Sequence, residues 1–455
     1  MNNWIIIILG VTGDLSKRKL LPALTKLIKE FPHAQFQVIG TGREPTTKEA
    51  VFDVVRKHHK HVDLAALQKL EDHFMYLQLD FDNAEQYQTL ASYVHHYAAQ
   101  GLDHRLVYCA TASDFFCTIT HNVVAANIIE AHNTNHRIVY EKPFGWDLAS
   151  ARHINSCIQK SLDEKQVYRI DHYLAKEFVN NILLLRSTNA LFKNSWNKES
   201  IESVKIIFNE TLGAEGRGAF LDRYGAVRDV FQNHMLQLLA LVTIEPPASL
   251  NADSLRDRKA EILRSVKVVD GVLGQYVGYQ DEPGVKKDSK TETYAALQLE
   301  VDTPQWRGIP FYCETGKCLA KKTTEIRVTL KPLGSCIWSP DSVCSSNVIT
   351  IHVTPEEGFS LTLNSKKPGS QNELTRVKFD APYAHVFGPS SVEAYETLLQ
   401  EIMNGQQSIV VRFDEIEYQW SITDQIYERK FPLVHYQQGS SGPQIDAHII
   451  NEVRI

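Results

Sequence analysis

Through the first third of the chain, apolar residues come in short, nearly unbroken runs. Trp4–Leu9, Gln35–Ile39, Met75–Leu79, Arg105–Ala110, Arg137–Tyr140 and Gln166–Ile170 read as strands. Helix-length segments, among them Ala84–Ala99 and Thr118–His132, lie between them. Strands that are apolar on both faces and alternate with helices predict a parallel, doubly wound α/β sheet. The pattern changes near Arg169. After a helical segment over Lys176–Arg186, the runs Val204–Phe208, Tyr294–Val301, Glu325–Leu330 and Val348–Val353 alternate apolar and polar residues. That period of two predicts an α+β half with a large, mainly antiparallel sheet. Asp222–Ile244 reads as one long helix, and Ser390–Met403 as another, stopped by Asn404-Gly405. Ser365–Gln371 reads as an exposed turn and Gln437–Gln444 as a flexible segment. The expected domains are 1–172 and 173–455.

Composition narrows the class. Of 455 residues, 43% are hydrophobic and 22% charged, ordinary for a globular enzyme with a full core. A formal net charge of −6 gives no support to general nucleic-acid binding. The run Trp4–Leu9 is too short to cross a membrane and lacks a signal-peptide cleavage pattern. The seven cysteines are scattered, and Cys313, Cys318, Cys336 and Cys344 match no zinc spacing. The expectation is free buried thiols, no metal and a reducing compartment, most simply the cytoplasm.

Candidate chemistry sits at the ends of the early strands. The first runs into Gly10-Val11-Thr12-Gly13-Asp14-Leu15. Glycines there let backbone approach a pyrophosphate, and the helix that follows offers free N–H groups to the same anion. By itself a GxxG is equally well a structural turn. The second strand leads to Gly40-Thr41-Gly42-Arg43, where such folds read the ribose. Arg43 favours a 2′-phosphate and hence NADP, whereas the adjacent Glu44 favours NAD.

Three further clusters carry polar groups. Glu141-Lys142-Pro143-Phe144-Gly145 follows the fifth strand, and its Lys-Pro bond is a candidate cis peptide. Arg169-Ile170-Asp171-His172-Tyr173-Leu174-Ala175-Lys176 follows the sixth. If a helix starts there, His172 and Lys176 share a face and, with Tyr173, form a donor set for a phosphate. The third runs from Gly216 through Asp222 to Arg228-Asp229-Val230-Phe231-Gln232-Asn233-His234. On an ideal helix His234 stands about 140° round from Asp229. Taken singly, each is an ordinary helix start or a satisfied histidine, as His58, His59, His95 and His96 are read to be.

Taken together, the set resembles the glucose-6-phosphate dehydrogenase family. GVTGDLSKRKLLPAL, EKPFGWDL, RIDHYLAKE, GRGAFLDRYGAVRDVFQNH and IPFYCETGKCLAKK occur in the family's order and spacing. The resemblance implies a Rossmann-like N-terminal sheet and a C-terminal domain that associates through its large sheet, giving a homodimer or homotetramer. It implies oxidation of glucose 6-phosphate with NADP, the first oxidative step of the pentose phosphate pathway. It assigns His234 as general base and Asp171 as the carboxylate that orients it. His172, Tyr173 and Lys176 would hold the sugar phosphate, with Lys317 and Lys322 on the substrate side. Glu210 and Asp229 would contact sugar hydroxyls, and Lys142 would reach both substrate and cofactor. Gly10, Thr12, Gly13, Asp14 and Leu15 would cradle the cofactor phosphates, with Arg43 on the 2′-phosphate. The chain departs from the family pattern at Ala175, at Glu314 and in Cys109–Ser113, which lacks a proline. Two other classes stay open: a related dehydrogenase of another sugar, and a non-catalytic relative that binds the cofactor.

Overall fold

A computed structural model of the chain describes residues 3–59, 62–247, 249, 251–333, 344–370, 373–388, 393–444, 448–449 and 452. The chain forms two units. The first comprises Met1–Lys176, Leu250–Arg256 and Val392–Glu417. Its sheet contains β1 (Trp4–Leu9), β2 (Phe36–Gly42), β3 (Phe74–Gln78), β4 (His104–Cys109), β5 (His136–Tyr140) and β6 (Val167–Ile170). The spatial order is β6-β5-β4-β1-β2-β3, all parallel, with Val410–Val411 added antiparallel on β6. Every residue of β1 is buried, which is why its sequence shows no alternation. The strand order reverses at β1, between β4 and β2, so a crevice opens at the carboxyl ends there.

Three features of this unit differ from the sequence reading. The helix expected over Thr118–His132 spans only Phe116–Ala125. Asn127 takes a left-handed φ of 54°, and the Arg105 guanidinium donates to the carbonyls of Asn127 and Ile128. Two late segments, expected in the C-terminal half, belong here instead. Gln407 donates to the carbonyls of Glu164 and Val167, Arg137 to that of Ile402, and Lys26 pairs with Glu396. Finally, Cys117 and Cys157 are joined as a disulfide rather than being free thiols. Cys109, Cys313 and Cys318 are free and buried as expected, Cys344 is free and only partly buried, and Cys336 lies outside the described residues.

The second unit comprises Glu177–Ser249, Asp257–Ser391 and Tyr418–Ile455. Its strands are β7 (Ile201–Asn209), β8 (Val266–Tyr276), β9 (Tyr294–Val301), β10 (Pro310–Gly316), β11 (Thr323–Leu330), β12 (Val348–Thr354), β13 (Gly358–Lys366) and β14 (Leu374–Pro382). They run β14-β13-β12-β11-β7-β10-β9-β8, with Leu433–Tyr436 on the far edge. All pairs are antiparallel except β7 with β10 and β8 with Leu433–Tyr436. Gln437–Gln444 is not loose: Gly439 donates to the Cys318 carbonyl, and Ala320 to that of Ser440. Among the described residues, no helix is long and apolar enough to cross a membrane.

Asp222–Ile244 is not one regular helix. Gly225, at φ 68° and ψ 176°, breaks it. A π-helical stretch, Val227–Met235, follows and passes into an α-helix, Leu236–Thr243. The buried end of that helix is satisfied from three sides. Arg186 donates to the carbonyls of Leu241 and Ile244, Trp196 to that of Val242, and Trp306 to that of Thr243.

Candidate functional site

In the first unit the expected residues gather at the carboxyl edge of the parallel sheet. Gly10 follows β1 with φ 92°, and a Cβ there would stand 2.5 Å from the Ala110 carbonyl oxygen. Its N–H and that of Val11 both donate to the Thr41 carbonyl, at 2.9 and 2.8 Å. Gly10 therefore serves by having no side chain, not by donating to a ligand. Gly13 N–H donates back to the Gly10 carbonyl, and a Cβ on Gly13 would lie 3.2 Å from that oxygen. Asp14 and Leu15 then head the helix that runs to Glu30, with Thr12 half-buried beside Gly42. Helix N–H groups and a turn with glycine at each end fit a dinucleotide pyrophosphate.

Arg43 stands exposed just past β2, its guanidinium carbon 5.8 Å from the centre of the Phe115 ring. Glu44 lies toward Tyr76 instead. The Tyr76 hydroxyl donates to the Glu44 carbonyl, and burial first, then the Glu44 charge, push its phenol up. Arg43 and Glu44 thus have different local partners.

Lys142 follows β5, and its bond to Pro143 is cis. Glu141 beside it is buried and accepts from the Tyr108 hydroxyl at 2.6 Å and from the Tyr395 hydroxyl at 3.1 Å. Burial raises its carboxyl, against those two hydrogen bonds. The ring of Tyr395 also stacks on His172, with centroids 6.1 Å apart and planes within 16°. One tyrosine thereby ties the loop after β5 to the loop after β6. Sequence reading missed it because its helix, Ala394–Met403, was assigned to the other half.

His172 does not start a helix, as the sequence suggested. Residues 172–176 form turns, and the helix begins at Glu177. Asp171, buried, accepts from the Tyr173 amide at 3.0 Å, which sets the first turn. Lys176 Nζ then folds over the Tyr173 ring at 4.5 Å. His172, Tyr173 and Lys176 remain close neighbours, held by turns rather than by helical spacing. Ala175 is buried.

The second unit holds the other set. His234 is buried on the π-helical stretch, and its ring stacks on Phe208 of β7 at 5.8 Å and 14°. Its N–H donates to Asn233 Oδ1, and Asn233 Nδ2 to the Arg228 carbonyl. Wider i→i+5 turns bring residues five apart nearer in rotation than the 140° an α-helix gives Asp229 and His234. Lys317, just past β10, is buried and pairs with Glu210 and with Asp229 Oδ2, the latter at 2.9 Å. Burial alone would lower its ammonium, but the two carboxylates outweigh that and hold it above its ordinary range. Lys322 stands exposed just before β11. Glu314 accepts from Asn209 Nδ2 at 3.0 Å. It points to the opposite face of β10 from Cys313 and Thr315, because successive strand residues alternate.

Glu292 caps the segment that carries His234. Its backbone carbonyl accepts from Ala226 N–H at 2.9 Å, and its carboxylate accepts from Val227 N–H and the Tyr427 hydroxyl. A carboxylate at a helix N-terminus is favourable. It also occupies the space over Gly225, where a Cβ would stand 2.2 Å from Glu292 Oε1. Gly225→Ala is therefore expected to cost about 2–4 kcal/mol, through positive φ and a displaced cap. Urea unfolding reads the cost; a shift under ~0.5 kcal/mol would show that the cap adjusts freely.

Comparison with known proteins places this arrangement. A family profile described as "Glucose-6-phosphate dehydrogenase, NAD binding domain" matches residues 7–181, and one described as its C-terminal domain matches 183–454. The glucose-6-phosphate 1-dehydrogenase of Chlamydia muridarum is 34% identical over 97% of this chain and 94% of its own. That of Dictyostelium discoideum is 36% identical over 96% and 92%. A solved glucose-6-phosphate dehydrogenase in complex with glucose 6-phosphate superposes with a TM-score of 0.89, at 31% identity, over 99% of this chain and 98% of that one. Matches of this identity along nearly the whole length, over both units, make the chain a member of the glucose-6-phosphate dehydrogenase family.

Proposed function

We propose that the chain oxidises D-glucose 6-phosphate at C1 to 6-phospho-D-glucono-1,5-lactone and passes the hydride to NADP. The observation that carries this reading is the His234 segment: a buried imidazole, with Asp229 on the same π-helical stretch paired to Lys317. His234 takes the proton of the C1 hydroxyl. Imidazole titrates near neutral pH, so it can accept that proton and later release it. Asp171, the partner the family resemblance assigns, fixes the tautomer and stabilises the imidazolium. Glu210 and Asp229 accept hydrogen bonds from sugar hydroxyls, and Lys317 keeps these two carboxylates together. His172, Tyr173, Lys176 and Lys322 hold the phosphate, whose binding energy fixes C1 in position.

The crevice after β1 fits a dinucleotide, since Gly10 and Gly13 leave their Cβ positions clear where backbone turns tightly. Thr12, Asp14 and Leu15 would hold its phosphates, with Gly10 and Gly13 giving them room by carrying no side chain, Arg43 would hold a 2′-phosphate, and Lys142 would reach the nicotinamide side. When bound, the nicotinamide supplies the hydride acceptor. Arg43, exposed just past β2 beside the Phe115 ring, is the cation that supports NADP over NAD. A homodimer or homotetramer through the large sheet, in the cytoplasm, completes the reading; relatives from Arabidopsis thaliana are named cytoplasmic.

The test is absorbance of reduced cofactor with glucose 6-phosphate and NADP, then NAD, and with unphosphorylated glucose as the control. No turnover with either cofactor would overturn the activity. Equal use of glucose would move the reading to another sugar dehydrogenase. Arg43→Ala is expected to raise KM for NADP by about tenfold or more and for NAD by less than twofold. Equal losses would take the 2′-phosphate away from Arg43.

A further inference from the structure

We propose that Cys117 and Cys157 are a reversible thiol–disulfide modification site on the nucleotide-binding unit, with His153 as the group that activates it. Cys117 lies in the first turn of the helix Phe116–Ala125, and Cys157 near the end of Leu148–Gln159. Their sulfurs are bonded across 40 residues of sequence, with Cα atoms 5.4 Å apart, inside the range a disulfide needs. His153 is one turn before Cys157, and its Nε2 is 3.7 Å from that sulfur. An imidazole at this distance favours the thiolate, the form that attacks disulfides.

Access separates this pair from the other thiols. Cys117 and Cys157 are each half-buried, and His153 is exposed. A cavity of about 570 Å³ beside them is lined by Ser113, Asp114, Cys117, Trp146, Asp147 and His153, among others. Cys109 and Cys313 are buried, and burial pushes both thiols far up. Accessible cysteine pairs with an activating neighbour are the redox-sensing ones in reducing compartments.

The position gives the pair something to control. Phe116–Ala125 leads out of the loop after β4, whose Ala110 carbonyl abuts Gly10. Leu148–Gln159 leads out of the loop that carries Lys142. The cross-link therefore pins two segments that border the cofactor crevice. The exchange balances with a small disulfide such as glutathione disulfide. The Cys157 thiolate attacks one sulfur of the oxidant and expels a glutathione thiolate. Cys117 then attacks Cys157 in the mixed disulfide and expels the second. Two protein thiols become one disulfide, and their two protons leave on two glutathione molecules.

The experiment equilibrates the full chain in buffers of graded glutathione to glutathione disulfide ratio, traps thiols by alkylation and reads each cysteine by mass. Cys117 and Cys157 should close together and reopen together, while Cys109 and Cys313 stay unchanged. Closure should raise the thermal midpoint of unfolding by roughly 5–10 °C, as expected for a loop of that length. Cys117→Ser and Cys157→Ser should each abolish that shift. His153→Ala should slow closure by about 3–10-fold with little change in its end point. The proposal fails if both cysteines remain alkylatable at every ratio, if they stop at the glutathione adduct, or if the reduced chain binds zinc through Cys117, His153 and Cys157 and resists closure. None of these readouts depends on enzyme activity.

Discussion

Replacing His234 with asparagine is expected to lower kcat by about 10²–10⁴, with KM for glucose 6-phosphate changed by less than about threefold. The asparagine amide keeps a polar group at the site but cannot accept a proton near neutral pH. The helix that carries the imidazole is held by other groups, capped by Glu292 at one end and by Arg186, Trp196 and Trp306 at the other. The His234 ring packs on Phe208, and the hydrogen bond to Asn233 comes from its backbone N–H, which asparagine retains. Loss of folding therefore does not explain a loss of rate, and circular dichroism with an unfolding curve checks that point. Unchanged kcat would remove the base from His234. If Asp171 has the orienting role proposed for it, Asp171→Asn should reduce kcat less steeply and shift the acid limb of the rate profile to lower pH.

Lys317→Met is expected to destabilise the second unit by about 3 kcal/mol. It leaves Glu210 and Asp229 facing each other without the ammonium that now joins them. The figure sits at the lower end for a buried pair because Glu210 keeps 30% of its side-chain surface in water. The pH dependence has a definite sign. The ammonium is held above its ordinary value in the fold, so its contribution is complete below the unfolded value of about 10.4. It is lost only as pH rises through the higher folded value. The difference in stability between the parent protein and the Lys317→Met variant should thus stay flat from neutral pH to about pH 10 and close in stronger alkali. Urea unfolding at a series of pH values measures it. A difference that narrows already near pH 8 would mean that Lys317 is not held by the two carboxylates.

Both predictions concern residues that the sequence located through motifs, whereas their settings come from contacts far apart in the chain. The parallel strands other than β3 were readable because burial on both faces leaves apolar runs. Tyr294–Val301 was readable because its faces differ. Val266–Tyr276 escaped, since its second half is buried residue after residue and shows no period of two. The break at Gly225 and the π-helical turns after it were invisible, because Asp222–Ile244 has a helical pattern throughout and the wider turns carry no compositional mark. The helical spacing that grouped His172 with Lys176 is absent; turns set by Asp171 stand in its place, and each of the two packs on Tyr173. Tyr395 and Glu292 were out of reach. Each does its work through partners more than 60 residues away, Glu141 and Val227, and nothing local distinguishes either.

The late segments that join the first unit bear on how the chain is made. A ribosome releases Met1–Lys176 long before Val392–Glu417 exists, yet β6 takes its outer neighbour from Val410–Val411, and Glu141 and His172 their shared tyrosine from residue 395. Domains tend to fold as they emerge, amino-terminal first. Here the nascent parallel sheet must wait with an open edge while the whole of β7 to β14 is translated. Premature termination anywhere before Val411 would release a chain whose first domain is unfinished, and exposed strand edges recruit other chains. Nonsense fragments of this protein should therefore be substrates for chaperones and proteases rather than freestanding nucleotide-binding modules.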